Sequence, residues 1–231
     1  MSGEERVRNE RLDERDQQHL TTDDPLLAVA RQTLLTEASA IKTTAEDLGP
    51  DFRKAIDLLS TASGRIMVTG LGKSGHIGRK MAATFASTGS PSAYVHATEA
   101  LHGDSGMVQT GDVVIAISNS GTTTEVVDFA RHLHARGIPI VGMTAGGANC
   151  ALGQVASVVL DTKVEREADP LGLAPTTSTT VTLSLGDALA AALMTLSAFT
   201  HSDFHAYHPG GSLGARLATD HNPADAEETA E

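Results

Sequence analysis

The chain has 231 residues, 40% of them apolar and only 3% aromatic, with a net charge of -12. That suffices for one domain around one sizeable core, argues against a nucleic-acid partner, and leaves no run near the roughly 18 consecutive apolar residues of a membrane span. The charged N-terminal segment lacks the apolar stretch of a secretory signal, and a single cysteine, Cys150, excludes an internal disulfide, so a cytoplasmic protein with no membrane partner is expected.

Residues 1–24 carry eight acids against four arginines, and residues 218–231 carry five acids and no lysine or arginine. These tails hold nine of the twelve excess negative charges and read as disordered acidic segments flanking a single domain at 25–217. Asp24-Pro25 pairs a capping residue with proline at the first helical position, so DPLLAVARQTLLTEASAIKTTAEDL is predicted as a helix. A second helical pattern, DFRKAIDLLSTA, follows Gly49-Pro50. Five short apolar runs come next: RIMVTG, SAYVHA, DVVIAISNS, IPIVGMTA and SVVLDT. Such Val- and Ile-rich runs, with no polar alternation, suit strands buried on both faces. Between most of them lie helix-length patterns, among them GHIGRKMAATFAST and TEVVDFARHLHARG, and a long helix over TTVTLSLGDALAAALMTLSAF closes the core. The alternation predicts an α/β three-layer sandwich around a five-stranded parallel sheet. Ligands of such sheets sit beyond the carboxyl ends of the strands.

The first strand runs into Gly70-Leu71-Gly72-Lys73-Ser74-Gly75. Gly-Lys-Ser suggests a nucleotide P-loop, but the leading glycine of that motif is replaced by Met67. The segment also satisfies G-x-G-x-x-G, yet the second strand ends Val95-His96-Ala97 without the acidic residue that a dinucleotide ribose requires, and Glu99 comes late. Two readings stay open here. One is a helix start at which backbone N–H groups, Lys73 and Ser74 meet an anion; the other is a tight strand–helix turn with an exposed lysine.

After the third strand come Ser118-Asn119-Ser120-Gly121-Thr122-Thr123-Thr124-Glu125, six hydroxyl or amide side chains at a predicted helix start. One cap needs one such residue, so the surplus favours a compact dianion such as a phosphate monoester. His201 and His205 are spaced as a helical metal pair, but Ser202 breaks the HExxH pattern and they read as surface residues.

Strand, S-x-S-G-x-T-x-E, then helix resembles the phosphate loop of sugar isomerase (SIS) domains. Residues 65–216, about two thirds of the chain, are similar to the D-arabinose-5-phosphate isomerase family through VTGLGKSGHIGRKMAATFASTG, EALHGDSGM, GDVVIAISNSG, READPLGLAPTTSTT, GDALA and HPGGSLG. The resemblance implies an SIS (flavodoxin-like) fold and isomerisation of D-arabinose 5-phosphate to D-ribulose 5-phosphate. It implies phosphate contacts at Ser74, Ser118, Asn119, Ser120 and Thr123, and further substrate contacts at Gly89, Ser90, His96 and His102. Lys73, Glu125, Glu167 and His208 match the catalytic residues. No cofactor or required metal is implied, only an inhibitory zinc contact at His96; the implied assembly is a homo-oligomer, often a tetramer, with sites completed across subunits.

Family members usually carry two regulatory CBS modules, so this sequence resembles a stand-alone form. Thr122-Thr123-Thr124, His96-Ala97-Thr98 and Asp169 depart from the family's common residues. Isomerisation through an enediolate needs a base and stabilisation of developing negative charge. Glu167 is expected as that base, His208 in ring opening or proton relay, Lys73 in charge stabilisation, and Glu125 in positioning or shared proton transfer. An isomerase of another sugar phosphate, such as a hexulose 6-phosphate, and a sugar-phosphate-binding SIS module without turnover are the alternatives.

Overall fold

The computed structural model describes residues 24–208. The acidic segment before Asp24, the tail at 218–231 and the Pro-Gly-Gly after His208 lie outside the described residues. Helix α1 (Pro25–Glu46) starts as its sequence predicts: Pro25 occupies the first turn, and the Asp24 carboxylate accepts a hydrogen bond from the Leu26 N–H. Then follow α2 (Pro50–Ser60), β1 (Ile66–Gly70), α3 (Gly72–Ser87) and β2 (Ser92–His96). A one-turn α4 (Ala97–Ala100) and a 3-10 turn (Asp104–Met107) lead to β3 (Val113–Ile117) and α5 (Thr124–Ala135). Next are β4 (Ile140–Thr144), β5 (Val158–Asp161), α6 (Thr177–Leu196) and a short α7 (His201–Tyr207).

All five strands are parallel, in the order β2-β1-β3-β4-β5. Residues of β1, β3 and β4 are buried throughout, which is why their sequences show no polar alternation. Their side chains alternate between two separate cores. Val113, Ile115 and Ile117 join Leu59 of α2, Phe85 of α3 and Leu189 of α6 on one face. Val114 and Ala116 join Phe129 and Leu133 of α5, with Ala100 and Leu152, on the other. The sheet is thus sandwiched between helices. Between β4 and β5 no helix forms; the irregular segment 145–157 covers that part of the second face.

Strand order reverses between β1 and β3, so the chain leaves the sheet in opposite directions there and opens a crevice at their carboxyl ends. Helix α6 bears on position as well as packing. Its 20 residues span about 30 Å. The N-terminal turns lie beside Lys73 at the carboxyl edge, and Leu193 and Leu196 lie with Ile66 and Gly89 at the amino edge. It is long and apolar enough to cross a membrane by composition, yet Val181, Leu185, Leu189 and Leu193 are spent on the core.

The amino edge is tied by Asp112, a buried carboxylate that accepts hydrogen bonds from the N–H groups of Arg65 (2.7 Å) and Gln109 (2.8 Å). Asp112→Ala removes both acceptors, at a cost of about 1–3 kcal/mol per stranded donor. We expect a thermal midpoint lowered by several degrees in scanning calorimetry, with a smaller loss for Asp112→Asn.

Candidate active site

Two glycine-containing turns face each other across the crevice. In the first, β1 ends at Gly70 and α3 begins at Gly72, with Lys73 and Ser74 in the opening turn. The turn is braced from β2: the Tyr94 hydroxyl donates to the Gly70 carbonyl at 2.5 Å, and Gly75 lies so close that a Cβ there would sit 2.7 Å from the same hydroxyl. In the second, Gly121 has a φ of +67°, a left-handed conformation that other residues adopt only with strain. A Cβ on Gly121 would fall 2.2 Å from the Cys150 Sγ, so no larger residue fits.

The hydroxyls of the second turn do not cap their helix. Thr123 is the N-cap residue of α5, but its side chain makes no capping bond; Thr123 Oγ1 instead lies 2.9 Å from Ser118 Oγ. Ser120 Oγ accepts from the N–H and the hydroxyl of Thr122, at 3.3 and 3.0 Å. Helix α3 likewise begins without a side-chain cap. By contrast, α1 and α7, which start elsewhere, are capped by Asp24 and Thr200. The two helices that open into the crevice therefore leave first-turn N–H groups without a capping side chain, and the positive ends of their dipoles accompany Lys73. An anion fits that environment.

Helix α6 contributes a third wall. Ser178, Thr179 and Thr182 line a cleft of about 210 Å³ with Lys73, Ser74, Asn119 and Pro175. Sequence reasoning passed over these α6 residues. Their signal was there, in the run Thr176-Thr177-Ser178-Thr179-Thr180, a second surplus of hydroxyls at a helix start.

Glu167 caps α6 from a distance. Its Oε2 accepts from the Thr176 N–H (2.8 Å), the Thr176 hydroxyl (3.2 Å) and the Ser178 N–H (3.2 Å), and its Oε1 accepts from the Ser178 hydroxyl. Burial pushes this carboxyl up, but the Ser178 and Thr176 hydrogen bonds together outweigh it and hold the group below the ordinary carboxylate range. Glu167 is therefore ionised at neutral pH and joined to the cleft through Ser178. Glu125 sits half-buried in the first turn of α5, and neither it nor Lys73 forms an ion pair with another described residue.

The other expected site residues are spread more widely. His96 ends β2 in register with Gly70, and its Nδ1 is buried without a hydrogen-bond partner among the described residues. His102 is exposed just beyond α4. Among the described residues no group of three His, Cys, Asp or Glu side chains could hold a metal, so a zinc ion at His96 would find no such set around it. Gly89 and Ser90 do not reach the crevice of their own chain. They precede β2 and line a cavity at the amino edge with Leu193 and Pro91, because α3 returns the chain there before the next parallel strand can begin. His208 also lies past the far end of α6; it stacks on Phe204 with ring centroids 4.0 Å apart, and its Nδ1 is 2.8 Å from the Phe204 carbonyl. Asp169, a departure from the family pattern, accepts from the N–H groups of Leu171, Leu173 and Ala174 and so shapes the loop leading to α6.

A depressed pKa has a consequence for folding. The native state binds the Glu167 proton less tightly than the unfolded chain does, so this contribution is complete above the unfolded pKa and is lost as pH falls through the native one. Glu167→Gln should destabilise the chain at about pH 6 and much less at about pH 3, read from urea unfolding midpoints. A gap between variant and parent that stays constant with pH would contradict the assignment.

Comparison with known proteins identifies the family. Residues 58–192 match the SIS domain family. The chain is 51% identical over 188 residues to the arabinose 5-phosphate isomerase KdsD of Pseudomonas aeruginosa, covering 81% of this chain and 57% of that protein. It is 48% identical over 192 residues to the arabinose 5-phosphate isomerase GutQ of Escherichia coli, covering 83% and 60%. The chain thus spans less than two thirds of the length of these relatives. A solved Escherichia coli structure in complex with arabinose 5-phosphate superposes with a TM-score of 0.78 at 41% identity, covering 82% of this chain and 100% of that one. The chain belongs to the SIS domain family.

Proposed function

We propose that the chain is an aldose–ketose isomerase that converts D-arabinose 5-phosphate to D-ribulose 5-phosphate in the cytoplasm. The observation that carries this reading is the pair of helix starts without side-chain caps, α3 and α5, whose turns bring Lys73, Ser74 and Asn119 to one cleft with the hydroxyls of Ser178, Thr179 and Thr182. Relatives named for this activity, and a related structure holding this sugar phosphate, support the same choice of substrate.

In this reading Ser74, Ser118, Asn119, Ser120 and Thr123 surround the phosphate, and the open-chain sugar extends toward α6. Glu167 removes the proton from the second carbon, and Lys73 stabilises the negative charge that develops on the oxygens of the enediolate. Returning the proton to the first carbon, with the hydroxyl proton moved between oxygens, completes the exchange of aldehyde for ketone. The strong hydrogen bonding of Glu167 supplies the ionised form at neutral pH, and Ser178 and Thr176 fix its orientation. Glu125 lies at the start of α5, where it positions Lys73 or shares the proton transfer.

The site is shared between subunits. Gly89, Ser90 and His208 lie at the amino edge of their own chain, so they complete a crevice only if it belongs to a second copy. Helix α1 offers the surface: it has no buried residue, and Leu26, Leu34 and Leu35 are 77%, 68% and 58% exposed. Leucines left exposed along a helix with no buried residue favour contact with another copy of the chain over contact with water.

Glu167→Gln should abolish exchange of the second-carbon proton with solvent, followed by NMR, while leaving binding of D-arabinose 5-phosphate within a few-fold; unchanged exchange would remove Glu167 from the role of base. Leu34→Asp should lower the sedimenting mass and the turnover together. Mixing inactive Lys73→Ala and inactive His208→Ala chains should restore part of the activity if sites are shared, and restore none if each chain is self-sufficient.

A further inference from the structure

Beneath the hydroxyl turn lies a polar side chain that no part of the reaction scheme uses. Thr144, the last residue of β4, is fully buried. Its hydroxyl donates to the Asn119 carbonyl at 3.3 Å and accepts from the Gly146 N–H at 3.0 Å. The Asn119 carbonyl receives a second bond, from the Ala145 N–H at 2.9 Å. Two residues further along, the Gly121 carbonyl accepts from the Leu152 N–H at 2.9 Å. The segment between β4 and β5 thus grips the hydroxyl turn by its backbone at two points, Asn119 and Gly121.

Cys150 fills the remaining space. Its Sγ accepts from the Gly153 N–H at 3.3 Å, lies 3.8 Å from Thr144 Oγ1, and abuts the bare face of Gly121. Cys150 belongs to the segment 145–157 that stands where a helix would otherwise connect β4 to β5, and Thr144 ends the strand that leads into it. Neither lines the cleft beside Lys73, and both would act on a bound phosphate only through the turn they support.

We propose that Thr144 is a positioning residue for the phosphate cradle: its hydroxyl fixes the Asn119 carbonyl, and Cys150 backs Gly121, so that Ser118, Ser120 and Thr123 present their hydroxyls in the shape that receives a phosphate dianion. The inference rests on the phosphate-binding reading of that turn and adds to it the structure that sets the turn's shape. A cradle aligned in advance loses little freedom on binding, whereas one that must be ordered by its ligand binds more weakly. Thr144→Val keeps the shape of the side chain but strands the Gly146 N–H and removes one of two donors from Asn119. Thr144→Ser keeps both bonds.

The test measures binding of inorganic phosphate by calorimetry, together with KM and kcat for D-arabinose 5-phosphate, in the full chain. Thr144→Val should weaken phosphate binding and raise KM by a common factor of roughly tenfold, with kcat within about threefold of the parent, the size expected when one buried hydrogen-bonding group is removed. Thr144→Ser should restore both values. A purely structural role would lower the thermal midpoint and the active fraction while leaving phosphate affinity per folded molecule unchanged, and that result overturns the proposal. So does a Thr144→Ser chain that folds but fails to recover phosphate affinity. The double variant Ser120→Ala with Thr123→Val separates the two levels. If it loses phosphate affinity while Thr144→Val does not, only the positioning role falls; if neither it nor Thr144→Val changes the affinity, the phosphate-binding reading of the turn falls as well.

Discussion

Because every strand of the sheet points the same way, each strand–helix junction is delivered to one edge, and the uncapped starts of α3 and α5 lie there. This constraint comes from chain direction before any particular side chain is considered. Where the strand order reverses, between β1 and β3, two such starts lie side by side with nothing threaded between them. Lys73, Ser74 and the hydroxyls from Ser118 to Thr123 are the local chemistry written onto that geometry. Helix α6, arriving from the other end of the chain, adds Ser178, Thr179 and Thr182 and brings Glu167 with it.

The absence of side-chain caps on α3 and α5 separates two explanations that composition leaves equal. A serine or threonine near a helix start ordinarily satisfies the first-turn N–H groups of its own chain. Here Thr123 is turned onto Ser118, and Ser120 onto Thr122. The same residue types at α7 do cap, through Thr200 and Asp203. The difference lies in what surrounds each helix start: α7 closes its own first turn, whereas α3 and α5 leave theirs open beside Lys73.

The five strands were legible because buried parallel strands need unbroken apolar runs, and RIMVTG, SAYVHA, DVVIAIS, IPIVGMT and SVVLDT supply them. The helices α1, α2, α3, α5 and α6 were legible through their spacing and through Asp24-Pro25. Short elements were not: α4 and the 3-10 turn have too few residues for any periodicity to emerge. In the crevice, both glycine turns could be read because they stand directly after strands. The α6 hydroxyls could not, since their nearness to Lys73 depends on a helix packing across the sheet from about a hundred residues away in sequence. Gly89, Ser90 and His208 show the opposite limit. A family motif names residues that act together, but it does not say that one chain brings them together, and here the return of α3 and the length of α6 carry them to the far edge.

The two cores divide the molecule in a way that affects its tolerance of change. Side chains that hold the layers together occupy the middle of the strands and the amino edge, where Asp112 is buried, while the carboxyl rim is built of small polar residues that contribute little apolar contact. Sequence drift at Thr122, Thr124 or Thr179 can therefore alter the chemistry of the rim with little effect on whether the chain folds. In a scaffold arranged this way, rim chemistry and foldedness can evolve almost independently.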